Sequence, residues 1–131
     1  MEKSILFYND NTGISEKIAP LLKSENINMT IVQSERELLQ FLEKKQMQLL
    51  IFDVELEGMN WYNGVQVLSR IRKLSDISIV VVSAQAKESA KVMALNAGAD
   101  DYVAAGCNPL ELMARIKCQL RRYDQLVGMR R

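Results

Sequence analysis

The sequence predicts a doubly wound α/β domain, one five-stranded parallel sheet with helices on both faces. Three observations predict it. Short apolar runs and amphipathic helical patterns alternate five times along the chain. The apolar runs are near-continuous rather than alternating, the mark of strands buried on both faces. The length of 131 residues suits a single hydrophobic core.

The elements follow in order. Ser4–Tyr8 is a short apolar run and reads as the first buried strand. Ile14, Ile18, Leu21 and Leu22 recur at helical spacing, with Pro20 inside the helix, where it should bend or weaken it. Met29–Val32 is the second strand. Ser34 and Glu37 form a capping box ahead of Leu38, Leu39, Phe41 and Leu42. Leu49–Phe52 is the third strand and ends at Asp53. Val65, Leu68 and Ile71 mark the third helix. Ile77–Val82 is β-branched apart from Ser78 and reads as a central strand. Ala90, Met93, Ala94 and Ala97 mark the fourth helix, closed by Gly98. Tyr102 and Val103 form a short fifth strand. Asn108 caps the last helix, Pro109 takes its first position, and Leu112, Met113, Ile116 and Leu120 face the core. Right-handed crossovers make such a sheet flavodoxin-like.

Composition excludes several functions. Hydrophobic residues make up 48% and charged residues 25%, and 17 basic against 16 acidic side chains give no global pull toward nucleic acid. No apolar run approaches ~18 residues, so no membrane span is expected, and the N-terminus is wrongly patterned for a signal peptide. A cytoplasmic location follows as the expectation. Histidine is absent, which removes histidine triads and histidine metal sites. Cys107 and Cys118 lack metal-ligand spacing and read as reduced thiols.

Sheets of this kind place their sites beyond the carboxyl ends of the strands. The residues there are Asn9, Asp10, Asp53, Ser83 and Ala104–Cys107. Asp10 and Asp53 can converge where the strand order reverses. Two oxygen-bearing groups beside a main-chain carbonyl begin a Mg²⁺ site, and a carboxylate beside a metal can act as a nucleophile toward a phosphoryl group. Strand-end Asp and Ser also cap loops without further purpose, and spacing alone does not choose between the two.

A resemblance does choose. Ala97-Gly98-Ala99-Asp100-Asp101-Tyr102-Val103, continuing through Asn108-Pro109-Leu110-Glu111-Leu112 to Leu120-Arg121-Arg122, resembles the end of a response regulator receiver (CheY-like) domain. The resemblance is to the branch that carries a C-terminal winged-helix DNA-binding domain, the OmpR/PhoB type. Ile51-Phe52-Asp53-Val54-Glu55-Leu56 with Gly58-Met59 resembles the phospho-acceptor strand and loop. The resemblance implies that Asp53 accepts the phosphoryl group. It implies Asp10, Asp53, the main-chain carbonyl of Glu55 and, more weakly, Asn9 as Mg²⁺ ligands, with Ser83 as the switch hydroxyl and Tyr102 as the switch aromatic. It implies a homodimer through the face of helix four, strand five and helix five, and a sensor histidine kinase as donor. Lys91 with Glu111, Asp101 with Arg115, and Asp100 with Lys117 or Arg122 are the candidate pairs across that dimer. DNA would be bound only through a further domain. The receiver would span residues 1–122, with 123–131 starting an interdomain linker.

The sequence departs from the family pattern at the site. Asn9-Asp10 replaces a pair of acids. Ala105-Gly106 replaces Lys-Pro, so the phosphate-bridging lysine is gone, and a cis Ala-Gly bond would cost ~3 kcal/mol, so this loop should take another path. Cys107 replaces an aromatic. Asn60-Trp61-Tyr62-Asn63 lengthens the loop after the acceptor. Lys87 is a possible substitute cation, and Gln85 lies where a residue positioning the dephosphorylating water would stand. Losing one acid and one lysine leaves the net charge unchanged, but a divalent ion held by one acid fewer should bind more weakly. The reading is an atypical receiver rather than an enzyme, with a phosphorylation-independent receiver or a stand-alone adaptor as alternatives. Asp10-Asn11-Thr12-Gly13 also resembles a flavodoxin phosphate loop, which makes a flavin mononucleotide binder the remote alternative.

Overall fold

The structure, a computed structural model, describes residues 3–8, 13–44, 46–53, 61–84 and 87–129, without the side chains of residues 61, 62, 128 and 129. Strands and helices alternate: β1 (Lys3–Tyr8), α1 (Ile14–Ser24), β2 (Ile27–Val32), α2 (Glu35–Glu43), β3 (Leu49–Asp53), α3 (Trp61–Leu74), β4 (Ser78–Ser83), α4 (Glu88–Ala97), β5 (Asp101–Ala104) and α5 (Pro109–Met129). The sheet order is β2-β1-β3-β4-β5 and every pairing is parallel. The predicted doubly wound sheet is present, and its order reverses between β1 and β3.

Strand alternation sorts the core into two layers. Ile5, Phe7, Leu49, Ile51, Val80 and Val82 face one side, where α1 and α5 cover them with Ile14, Ile18, Leu22, Leu112, Ile116 and Leu120. Leu6, Tyr8, Leu50, Phe52, Ile79 and Val81 face the other, covered from α2, α3 and α4 by Leu38, Leu42, Leu68, Ile71 and Ala94. The near-continuous apolar runs of β1, β3 and β4 are thus explained, because helices cover both faces of these central strands.

The local signals act as their chemistry requires. The Ser34 side chain accepts from Glu37 N at 3.1 Å and starts α2. The Asn108 side chain accepts from Leu110 N at 2.9 Å and starts α5. Gly98 closes α4 with φ at 126°, a conformation that side chains disfavour. One expectation needed correction, the loop at Trp61–Asn63, and the other details add to the reading. Pro20 lies within an unbroken α1, on its exposed side. Of the residues that mark α4, Ala90 and Ala94 are buried whereas Met93 is 37% exposed. Trp61, Tyr62 and Asn63 are not loop but the first turn of α3. α5 runs unbroken past residue 122 to Met129.

One side chain ties three elements at the amino-terminal edge. Arg72, in the last turn of α3, donates to Gly98 O at 2.6 Å and to Ile77 O at 2.8 Å. It also donates to Asp100 Oδ2 at 3.0 Å, an oxygen that accepts from Ile79 N at 2.8 Å. The guanidinium therefore satisfies carbonyls that the end of α4 and the start of β4 leave open. A Cβ at Gly98 would lie 2.9 Å from the Arg72 Cβ. Gly98→Ala should therefore cost about 1–3 kcal/mol from backbone strain, with displacement of Arg72 in addition. Gly106→Ala, where a Cβ meets open space, should be close to neutral. Urea denaturation midpoints of the two variants check the contrast.

Candidate functional site

The parallel arrangement brings the carboxyl ends of the strands to one edge. Asp53 is the last residue of β3 and Ser83 the last of β4, and both are fully buried. Tyr8 pairs with Phe52, Asp53 with Val82, and Val82 with Val103. Asp53 continues the parity of Leu49 and Ile51, so it leaves the sheet on the α1/α5 side. Ala105 continues the parity of Val103 and packs on that same side. Ser83 has the parity of Ile79 and Val81. Tyr102 pairs with Val81 and lies half-buried against the layer that holds α4. Asn9, Asp10, Glu55 and Gln85 lie outside the described residues.

A carboxylate without solvent access is costly unless it is compensated. The implied set is the Asp53 and Asp10 carboxylates, the Glu55 main-chain carbonyl and a neutral Asn9 oxygen. It is all oxygen, which fits Mg²⁺ in kind, and it holds one acid fewer than the family pattern. Among the described residues no three acidic, cysteine or histidine side chains gather. Asp53 is thus the one implied side-chain ligand whose position is described.

The β5–α5 connection shows why the lysine position matters. β3 and β5 flank β4, so they stand ~10 Å apart. A long side chain at position 105 could cross toward Asp53 on their shared face, whereas the Ala105 methyl cannot. Ala105 N donates to Ser83 O at 2.8 Å, and Cys107 N donates to Ala104 O at 3.0 Å, which closes a tight turn. No peptide bond among the described residues is cis, so the loop follows the other path that losing the proline led us to expect. Lys87 stands at the N-cap position of α4 and is exposed, whereas Asp53 is fully buried.

Several of the predicted output residues already have partners within the chain. Lys91, Val92 and Leu95 are exposed on α4, and Leu110 and Glu111 on α5. Arg115 pairs with Asp101 at 2.9 Å and with Glu111 at 3.2 Å, both within the monomer. Asp100 is held by Arg72, and Lys117 pairs with Glu25 at the end of α1 at 3.1 Å. Arg122 is exposed. The sequence reading overlooked Arg72. Its signal was a basic residue in the last turn of a helix, which is too common to single one out.

Residues 5–117 match the response regulator receiver domain family, and the chain belongs to that family. It is 32% identical over 130 residues to the regulatory protein VanR of Enterococcus faecium, covering 99% of this chain and 55% of that protein. It is 30% identical over 124 residues to the DNA-binding response regulator MtrA of Mycobacterium tuberculosis, covering 95% and 53%. The chain therefore spans about half the length of the curated relatives it matches. Among solved structures, a CheY-like receiver domain protein from Methanospirillum hungatei superposes with a TM-score of 0.79 at 29% identity, covering 95% of this chain and 98% of that one. Receiver domains are signalling rather than catalytic modules, and generally bind Mg²⁺ at their phosphorylation site. Among the described residues no helix is long and apolar enough to cross a membrane.

Cys107 lies in the β5–α5 turn beside this site. Burial, followed by the nearby Glu111 carboxylate, raises its thiol pKa above the usual range. Thiolate is the reactive form, so Cys107 should lag behind the exposed Cys118 in maleimide labelling at about pH 8. The lag should narrow as pH rises toward the elevated pKa, and peptide mapping of the labelled chain checks both points.

Proposed function

We propose that this chain is the receiver of a cytoplasmic two-component response regulator of the OmpR/PhoB type. Its phosphorylation state would set dimerisation and, through a following winged-helix domain, DNA binding. The observation that carries this reading is Asp53, fully buried at the carboxyl end of β3 beside the point where the strand order reverses. A sensor histidine kinase would donate the phosphoryl group to the Asp53 carboxylate. Mg²⁺ would be held by Asp10, Asp53 and the Glu55 carbonyl, with a neutral Asn9 oxygen in place of the missing acid. The ion should therefore bind weakly. Ser83 and Tyr102 would pass the change to the α4–β5–α5 face.

The Ala105 turn favours a second reading. Without a cationic side chain at position 105, the phosphoryl group has no direct link to β5. The domain would then dimerise without phosphorylation. A stand-alone adaptor receiver, with no DNA-binding partner domain, is the other alternative.

Acetyl phosphate with Mg²⁺ should give a phosphoryl adduct on the wild-type chain by intact mass, and none on Asp53→Asn. Asn9→Asp with Ala105→Lys should raise the adduct yield and tighten Mg²⁺ binding. Absence of the adduct in both the wild type and the repaired variant would overturn phosphorylation at Asp53. A yellow purified sample absorbing near ~450 nm would instead support the remote flavin reading.

The proposed dimer makes its own prediction. Lys91→Glu should weaken self-association by about tenfold or more through like-charge juxtaposition with Glu111 of a second copy. Lys91→Glu combined with Glu111→Lys should restore much of it. Sedimentation velocity across a concentration series measures both.

A further inference from the structure

Helix α5 outruns the core on which it packs. Leu120 is its last buried residue among those described, yet the helix continues to Met129. Nine further residues make an overhang of ~13 Å. A helical segment this short is marginal in water without tertiary contacts. Its described ionic contact comes from the opposite end of the chain. Lys3, the first residue of β1, forms an ion pair with Asp124. The same ammonium lies 5.3 Å from the centroid of the Tyr123 ring. Beneath the overhang is a groove of about 590 Å³, with Tyr123, Leu126 and Val127 on the helix side and Met47, Leu74 and Ile77 on the other. Much of the apolar surface along the groove stays in water, with Leu126 47% exposed and Leu74 69%.

We propose that residues 121–129 form a latched arm, a helical extension whose attitude is set by Lys3 as a positioning residue. The latch is poised rather than locked. The side chains of Lys3 and Asp124 are 23% and 56% exposed, so their attraction is modest and screened by salt. Releasing it removes the one described ion pair between the arm and the sheet. What remains is local helix propensity and the partial burial of Tyr123 and Val127 along the groove. The packing of Leu112, Ile116 and Leu120 on the sheet does not depend on the latch, so the arm can move while the core stays closed. In the reading proposed above, this arm is where the receiver would meet an effector domain. The latch itself does not require Asp53 to be phosphorylated.

Amide hydrogen exchange on the whole chain, without Mg²⁺ or phosphodonor, tests it. In Lys3→Ala and in Asp124→Ala, the amides of residues 125–129 should exchange about three- to tenfold faster, with residues 112–120 unchanged. Lys3→Glu combined with Asp124→Lys should slow the arm again. Raising the salt to about 1 M should accelerate the wild-type arm toward the Lys3→Ala rate and leave that variant unchanged. Equal arm exchange in the wild type and Lys3→Ala would overturn the proposal. So would acceleration spread over all of α5, which would make Lys3 a contributor to global stability only. Failure of phosphorylation at Asp53 would leave this result standing, and failure of the latch would leave the phosphorylation reading standing.

Discussion

Burial of β3 on both faces is the constraint from which the rest of the structure follows. Every residue of that strand is buried, and four of its five side chains are apolar. Each such side chain contributes ~1.5–3 kcal/mol only if it is removed from water. A strand buried on both sides needs helices above and below, and helices between successive strands make the strands parallel. Parallel strands then bring all their carboxyl ends to one edge. The interior of the sheet leaves no room for uncompensated polar groups, so chemistry is confined to that edge, where Asp53 stands. Placing a carboxylate there is costly, and the fold tolerates it only where cations or donors can be brought to it.

That placement explains why the two losses at the edge belong together. Ala105 leaves the sheet on the same side as Asp53, so a lysine at this position would have approached the carboxylates directly. Removing it while keeping two acids after β1 would have left the edge more negative than the family pattern. Replacing one of those acids by Asn9 returns the net charge to its former value. Charge balance is not equivalent to function, however. A neutral amide holds a divalent ion less firmly than a carboxylate, and a methyl group cannot link β3 to β5. In the phosphorylation reading, such a site would keep its electrostatic tolerance for Asp53 and would hold both metal and phosphate less firmly.

The fold was legible because period and punctuation agreed along the chain. The apolar runs, the Ser34 cap, the Gly98 stop and the Asn108 start each specify one local structure, and the sheet satisfies them all. Other features were not legible, for physical reasons. Pro20 removes one N–H inside α1, but the burial of Ile14, Ile18 and Leu22 outweighs it. Trp61–Asn63 has no strong helix or loop preference, so local sequence alone did not reveal its place at the start of α3. Asp53 was legible as an edge residue, whereas its role came from family resemblance. The partners of Asp100 and Lys117 depend on contacts 28 and 92 residues away in the chain, which no local pattern encodes. The Lys3–Asp124 pair spans 121 residues and was hidden for the same reason.

The internal pairs on the α4–β5–α5 face change how a dimer through that face would be held. Arg115 is already bonded to Asp101 and Glu111, and Asp101 Oδ1 also accepts from Tyr102 N at 2.8 Å. A second copy that recruited these groups would exchange one set of ion pairs for another, with little net gain in solvent-exposed surroundings. The favourable free energy would have to come from covering Val92 and Leu95, which are 48% and 39% exposed. The charges would then select the orientation in which those residues meet. The same bonds tie β5 to α5, so a small shift of β5 would change which partners Arg115 can reach. Control of such a face requires β5 to move, whether the movement begins at a phosphoryl group on Asp53 or elsewhere. In the phosphorylation reading, the absence of a lysine at position 105 would weaken one way of moving β5 without altering the α4–β5–α5 residues themselves.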